Sequence, residues 1–432
     1  MQTVLNGIAN RARISKEHRF GGVYTLLNEE FLRWSFYQLN RKAAPGVDGV
    51  TWGEYEAELD ANLLNLVDRL KRKTYRTRYV KRHYIPKGGG KRRPLGIPVI
   101  EDKIVQYAAK MILESIYEED FIDYSFAYRP ERSAKEAAGE LMFNLQFRPL
   151  SWVVEADIKG FFDNIDHEWM LKMLGERIND RAFINLIRKW LKAGVLEDIH
   201  TVIHPGTGTP QGGVISPILA NIYLHYALDL WFEKSVKKRV RGECVLVRYA
   251  DDFVCAFRYQ SDAEHFYNEQ LQKRLAKFNL ELAPEKTQMM RFSRFEIQNG
   301  RSFEFLGFEF RWGLNRHMRP QVKRRTARKK QRAACSAIQE WIKNNRNKGL
   351  RPLMATLKKK LQGHWNYYGV HHNSKSLWDF YYHTCQVVLK WLNRRSQRRS
   401  FTWVRFLAML ERYGIPKPRI TEKPAKRRYS NV

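Results

Sequence analysis

Apolar runs along this chain break off at charged residues. Val245-Leu246-Val247 and Phe253-Val254-Cys255-Ala256-Phe257 flank Tyr249-Ala250-Asp251-Asp252. That pattern predicts two strands joined by a tight turn, with adjacent carboxylates at the tip. Trp152-Val153-Val154-Glu155-Ala156-Asp157 predicts another buried strand, and Phe303 to Phe310 alternates with period two, again as a strand. Helical spacing links Ile104, Ala108, Met111 and Ile112, and a longer stripe links Leu350, Met354, Leu357, Leu361 and Trp365. Further helices are expected from about Asp166, whose carboxylate suits an N-cap, from Ser216-Pro217, with Ser as cap and Pro in the first turn, and around 262–279. Residues 1–75 read as mostly helical, broken by Pro45-Gly46-Val47-Asp48-Gly49.

Tyr79 to Pro98 reads as a β-hairpin whose tip, Gly88-Gly89-Gly90, is surrounded by Lys87, Lys91, Arg92 and Arg93. It is not a Walker loop, because Arg follows the Gly-Lys pair where Ser or Thr would be needed. Gly206 to Gly213 is a loop. After about residue 311 the composition shifts, and Lys323-Arg324-Arg325-Thr326-Ala327-Arg328-Lys329-Lys330 is almost solid cation. The expected divisions are therefore 1–75, 76–310, a helical 311–415 and a flexible basic tail at 416–432.

Charge narrows the partner. The 432 residues carry 77 Lys+Arg against 45 Asp+Glu, a net +32, while a 44% hydrophobic content describes a globular chain. Such an imbalance suits an extended phosphate backbone. An anionic membrane surface fits less well, since no long apolar run or lipid-anchored amphipathic segment is present. Met1 to Arg19 has no apolar signal-peptide core, and the four cysteines (Cys244, Cys255, Cys335, Cys385) form neither a C-x-x-C pair nor a disulfide scaffold. A reducing, cytoplasmic setting is expected.

The chemistry rests on carboxylates. From Tyr249-Ala250-Asp251-Asp252 alone, a solvated Asp turn and a metal-holding tip both remain open. Asp157, taken singly, could merely cap the next turn. If Asp157 joins Asp251 and Asp252 on one antiparallel sheet, three carboxylates converge. Such a set can hold two divalent ions about 3.5–4 Å apart for nucleotidyl displacement.

Several segments, taken in order, resemble a known family. They are Arg93-Pro94-Leu95-Gly96-Ile97-Pro98, Ala156-Asp157-Ile158-Lys159-Gly160-Phe161-Phe162-Asp163-Asn164-Ile165-Asp166-His167, Thr209-Pro210-Gln211-Gly212-Gly213-Val214-Ile215-Ser216-Pro217, Tyr249-Ala250-Asp251-Asp252, Ala283-Pro284-Glu285-Lys286-Thr287 and Phe305-Leu306-Gly307. Together with Gly363-His364-Trp365-Asn366-Tyr367-Tyr368 they are similar to the reverse transcriptase–maturases of bacterial group II introns, over about residues 30–415. The resemblance implies an α+β right-hand polymerase, with fingers and an antiparallel palm sheet, followed by an α-helical thumb or maturase domain.

It also implies roles. Asp157, Asp251 and Asp252 match the ligands of two Mg2+ ions. Phe162 matches the residue that excludes a ribose 2′-hydroxyl, although an ordinary core aromatic reads the same. Arg93 and Lys91 match basic residues that hold a triphosphate. Gln211 lines the nucleotide pocket, Gly212-Gly213 admit close backbone approach, and Lys286 contacts substrate phosphate or supports the site. Lys323, Arg324, Arg325, Arg328, Lys329, Lys330, His364 and Tyr367 become candidate RNA contacts. His364, His371, His372 and His383 fit no zinc spacing, and Arg248 acquires no role.

The implied partners are group II intron RNA, an RNA template with a DNA or RNA primer, dNTPs and target DNA. The family's C-terminal endonuclease, with its paired cysteines, is expected to be absent. The Gln-Gly-x-x-x-Ser-Pro segment keeps the group II form. An RNA-binding splicing chaperone with an unused polymerase, or a domesticated enzyme of defence or DNA repair, are the alternatives.

Overall fold

The computed structural model describes residues 1–88, 91–196, 202–203, 207–208, 212–395 and 400–422. Helices Gln2–Ile14, Glu29–Gln38, Trp52–Ala57 and Leu59–Lys71 open the chain. Local chemistry starts them: the Asn28 side chain accepts from the Phe31 N–H, and Thr51 and Glu54 form a capping box. All four contribute to one apolar cluster with the long helix Ile100–Tyr117.

The first sheet contains β1 (Val80–Gly88) and β2 (Lys91–Ile97), the expected antiparallel hairpin, with β4 (Val195–Leu196) parallel to β1 and β5 (Val202–Ile203) beyond it. The second sheet carries Asp157 and Asp252 at its strand ends. Here β3 (Trp152–Asp157), β6 (Cys244–Tyr249), β7 (Asp252–Phe257) and β8 (Gln288–Arg291) lie in the order β6-β7-β3-β8, antiparallel throughout. Alternate residues of its strands enter separate cores. Val154, Ala156, Leu246, Phe253 and Cys255 join the cluster beneath the N-terminal helices, while Val153, Val245, Val247, Val254 and Ala256 join a second. A sheet covered on both faces leaves its strand ends as the places for charge.

A third sheet, β9 (Ser302–Phe305), β10 (Phe308–Leu314) and β11 (Pro320–Thr326), shares the second core with helix Ala134–Phe147. β10 and β11 pair without interruption from Phe308↔Thr326 to Leu314↔Pro320. This hairpin therefore crosses the 311–320 stretch where composition alone suggested a boundary, and helices resume at Arg328. Helices Arg328–Asn345, Leu350–Tyr368, Ser374–Leu392 and Trp403–Arg412 bury a third cluster, in which Met354, Leu357, Leu361 and Trp365 form the expected stripe. Each such side chain, fully buried, contributes about 1.5–3 kcal/mol.

Two expectations are corrected. Ser216 does not cap its helix: the cap position is Ile215, and Ser216 is the first helical residue with Pro217 next. Residues 416–422 are not a free tail. Trp365 Nε1 donates to Pro416 O at 3.1 Å, and the Thr421 and Glu422 amides donate to Gly369 O at 2.8 and 2.9 Å. Gly369 permits this contact, since a Cβ there would stand 2.3 Å from Trp365 O and 2.7 Å from Arg419 O. Among the described residues, no helix is long and apolar enough to cross a membrane.

Candidate active site

Strand register brings the three aspartates together. Asp157 is the last residue of β3 and stands opposite Asp252, the first of β7. Asp252 in turn pairs with Tyr249 across a two-residue turn, Ala250-Asp251. Ala250 takes φ +56°, a left-handed conformation that costs a residue with a side chain about 1–3 kcal/mol and clusters at functional sites. Like charges directly opposite on neighbouring strands destabilise a sheet, and here Asp157 is buried and Asp251 half-buried, while Asp252 stands at the open rim of the cavity. Burial raises the Asp251 pKa, with Asp157 adding to it. Burial first, then Asp157 and Asp251, push Asp252 up to about 7.

One cation already answers this charge. Asp157 O accepts from the Ala283 amide at 2.8 Å, which hangs the turn Pro284–Lys286 on β3, and the Lys286 ammonium bonds Asp157 Oδ2. That bond raises the Lys286 pKa. Among the described residues no three acidic, imidazole or thiol groups stand ready as a closed ligand set. The aspartates nevertheless suit a divalent cation: they are hard oxygen donors whose mutual repulsion and burial a metal would relieve, and Lys286 supplies part of that positive charge.

The aspartates open onto a cavity of about 1450 Å³ that Arg93, Phe162, Lys286 and Tyr367 also line. Arg93 lies exposed on β2 and favours the charged form of Asp251. Phe162 is 7% exposed on the turn Phe161–Asp163, edge-on to Phe161 at 5.4 Å. The helix after that turn starts as expected, with Asp166 accepting from the Trp169 N–H at 2.8 Å. Gly208, at φ +88°, presses on the same turn, where a Cβ would meet Asp163 O at 2.8 Å. The close approach that Gly212 allows is to Gly96 O of β2, 2.6 Å from where its Cβ would lie. Gln211 and the Lys91 side chain lie outside the described residues.

The candidate RNA contacts scatter. Arg328 and Lys330 line the cavity and Lys329 is exposed. Lys323 donates to Leu314 O at 2.6 Å and Arg325 to Glu309 at 2.6 Å, both across β10–β11. Arg324 overturns its expectation: it is 0% exposed and bonds Glu422 at 2.7 Å, so it offers nothing to RNA. His364 stacks on Phe380 at 4.0 Å, and burial lowers its pKa to about 4, which makes it a neutral packing residue. Tyr367 stacks on Phe308 and donates to Leu306 O at 2.9 Å, holding the helical segment against the Phe305-Leu306-Gly307 corner beside the cavity.

Sequence reasoning missed Arg248. It sits on β6 at 0% exposure and pairs with Asp229, also at 0%, at 2.5 Å. Its position directly after Val245-Leu246-Val247, in a strand covered on both faces, was the available signal, because a charge there requires a partner. The partner itself, nineteen residues earlier in a distorted helix, left no local trace.

A profile described as reverse transcriptase (RNA-dependent DNA polymerase) matches residues 85–310, more than half of the chain. Protein YkfC of Escherichia coli (strain K12) is 38% identical over 238 residues, covering 49% of this chain and 62% of that protein. The group II intron-encoded protein LtrA of Lactococcus lactis subsp. cremoris is 37% identical over 247 residues, covering 54% of this chain and 40% of that protein. The chain thus spans less than two thirds of either relative's length. A telomerase from Candida albicans, solved with a fragment of telomeric RNA, superposes at TM-score 0.45 with 13% identity over 84% of this chain and 66% of that one.

Proposed function

The chain belongs to the reverse transcriptase family, and on that premise we propose that it is an RNA-directed DNA polymerase that also binds a group II intron RNA. The observation that carries the polymerase reading is the register Asp157↔Asp252, with Asp251 on the adjoining turn and Arg93, Phe162 and Lys286 around one cavity. Divalent cations serve this family's chemistry. Here two Mg2+ ions held by Asp157, Asp251 and Asp252 would activate a primer 3′-hydroxyl and stabilise the leaving pyrophosphate.

The protein's own residues do the rest. Arg93, with Lys91, holds the triphosphate, and Phe162 blocks a ribose 2′-hydroxyl. Gln211 lines the base pocket, and Lys286, which bonds Asp157, contacts substrate phosphate or supports the site. The domain reading is adjusted: fingers and palm extend through β11, and the thumb runs from Arg328 to about 415. Exposed Lys329 and cavity-lining Arg328 and Lys330 grip RNA backbone, as the net charge of +32 suits. Target DNA is the second nucleic acid, and the setting is the bacterial cytoplasm.

The similarity to an intron-encoded protein supports the maturase half of this reading. The test is primer extension on an RNA template with dNTPs and Mg2+, beside a splicing assay with the intron RNA flanking the gene. DNA synthesis together with faster splicing is expected. Splicing assistance without DNA synthesis would leave only an RNA chaperone.

A further inference from the structure

All five N–H donors of the Arg248 guanidinium are taken. Nε donates to Asp229 Oδ1 at 2.7 Å and Nη2 to Asp229 Oδ2 at 2.5 Å. Nη2 also donates to Ser125 Oγ at 2.7 Å. Nη1 donates to Asn221 Oδ1 at 3.2 Å and to Ala250 O at 3.1 Å. The main chain is equally fixed: the Arg248 amide donates to Tyr124 O at 2.8 Å, and the Phe126 amide to Arg248 O at 3.0 Å. The guanidinium therefore cannot swing without leaving a buried donor unpaired.

A distorted helix makes this possible. The helix Ser216–Leu224 continues into a π turn, His225–Asp229. In a regular α-helix Asn221 and Asp229 would point about 80° apart, since each residue turns about 100°. The one-residue insertion of a π turn reduces that to about 20°, so both side chains face Arg248. π turns recur at functional sites. A buried ion pair is also a weak stabilising device compared with apolar packing of the same volume, so its presence calls for another use.

That use is visible in the fifth bond. Ala250 O belongs to the peptide unit joining Ala250 to Asp251, which is rigid and planar. The other half of that unit is the Asp251 N–H, bonded to the Cα that carries the carboxylate, so fixing the peptide fixes where that side chain starts. We propose that Arg248 is a positioning residue: its guanidinium fixes the Ala250–Asp251 peptide in a strained turn and thereby aims the Asp251 carboxylate into the cavity. The inference rests on Asp251 belonging to the polymerase site. It adds the device, made of Arg248 with Asp229 and Asn221, that holds Asp251 there.

The test compares full-length wild type with R248K, S125A and N221A. Mn2+ affinity is measured by electron paramagnetic resonance on the complex with a non-extendable primer and RNA template, beside single-nucleotide incorporation and melting temperature. R248K keeps the charge facing Asp229 but loses the fork that reaches Ala250 O. Its Mn2+ affinity and its incorporation rate at saturating dNTP are expected to fall about 10- to 100-fold, the usual effect of losing a partner that orients a ligand, with the dNTP KM changed little. S125A removes a bond of the same guanidinium that does not touch the turn. It is expected to lower the melting temperature and leave Mn2+ affinity in place. N221A removes the acceptor that shares Nη1 with Ala250 O and leaves the Asp229 pair in place, and a several-fold weaker Mn2+ affinity in a folded protein is expected even if R248K does not fold. Wild-type Mn2+ affinity in R248K or N221A, or an equal loss in R248K and S125A, would overturn the proposal. The Mn2+ readout decides this even if wild type makes no DNA, an outcome that counts against the polymerase reading alone.

Discussion

Two arginines are 0% exposed among the described residues, one in the palm and one where β11 meets the helical segment. Arg248 spends every donor, against Asp229, Asn221, Ser125 and the turn that carries Asp251. Arg324 bonds only Glu422, itself partly accessible, and its Nε and Nη1 have no partner. The palm arginine thus sits in a saturated polar network that ties a buried helix to the turn carrying Asp251, whereas the side chain of the junction arginine makes one bond, to a distant part of the chain. The difference teaches what each charge is for: the first fixes a geometry, the second clasps residues 416–422 onto the fold.

That contrast can be broken most forcefully by removing each guanidinium. R248M strands the buried Asp229 carboxylate and is expected to cost about 3–5 kcal/mol of stability, the typical result of breaking a buried pair. R324M leaves Glu422 still accepting from the His371 amide and is expected to cost only about 1–2 kcal/mol. Chemical denaturation of the two variants decides; equal losses would erase the distinction.

Next in size is a pH effect. The Asp252 pKa, near 7 in the folded state against 3.8 in the unfolded chain, means that the native protein binds more protons between those values. Without metal, the contribution of Asp252 to stability therefore falls as pH rises through that window and is gone above about 7. Asp102, raised to about 6 by burial, contributes with the same sign lower in the window. Subtracting the profile of D252N isolates the portion near 7, and saturating divalent metal should flatten it. Identical profiles for wild type and D252N in EDTA would contradict the assignment.

Phe162 tests the cavity side of the palm. F162V should narrow the preference for dNTP over rNTP by roughly tenfold, because the steric clash with the 2′-hydroxyl is removed. Unchanged discrimination would return Phe162 to the core. The smallest effect belongs to the exposed part of the cationic run. K329A should weaken RNA binding by about 1 kcal/mol or less and reduce the salt slope by about one, while R324A should leave that slope unaltered.

The sequence made the palm legible because its strands are apolar on both faces and terminate in carboxylates, so Asp157, Asp251 and Asp252 stood out as charges at strand ends. The stripe from Met354 to Trp365 was legible through helical spacing. Arg324 was misread because a run of cations looks uniform, while a strand sorts it by alternation. Val322, Arg324 and Thr326 turn inward, and Lys323 and Arg325 face the other way. Arg248 lacked a role in the sequence because its partners lie at Ser125, Asn221 and Asp229, and a π turn, which no periodicity announces, aligns two of them. The docking of residues 416–422 depends on Trp365 and Gly369, about fifty positions earlier, beyond the reach of any local pattern.

Asp157, Asp251 and Asp252 are proposed to serve templated nucleotide addition. The most direct measurement is single-turnover incorporation of one dNTP on an RNA template with Mg2+, for wild type and D251N, with primer–template affinity determined on the same preparations. The account predicts a rate reduced to about a thousandth or less in D251N, with affinity for primer–template nearly unchanged. Incorporation by D251N at the wild-type rate would contradict it.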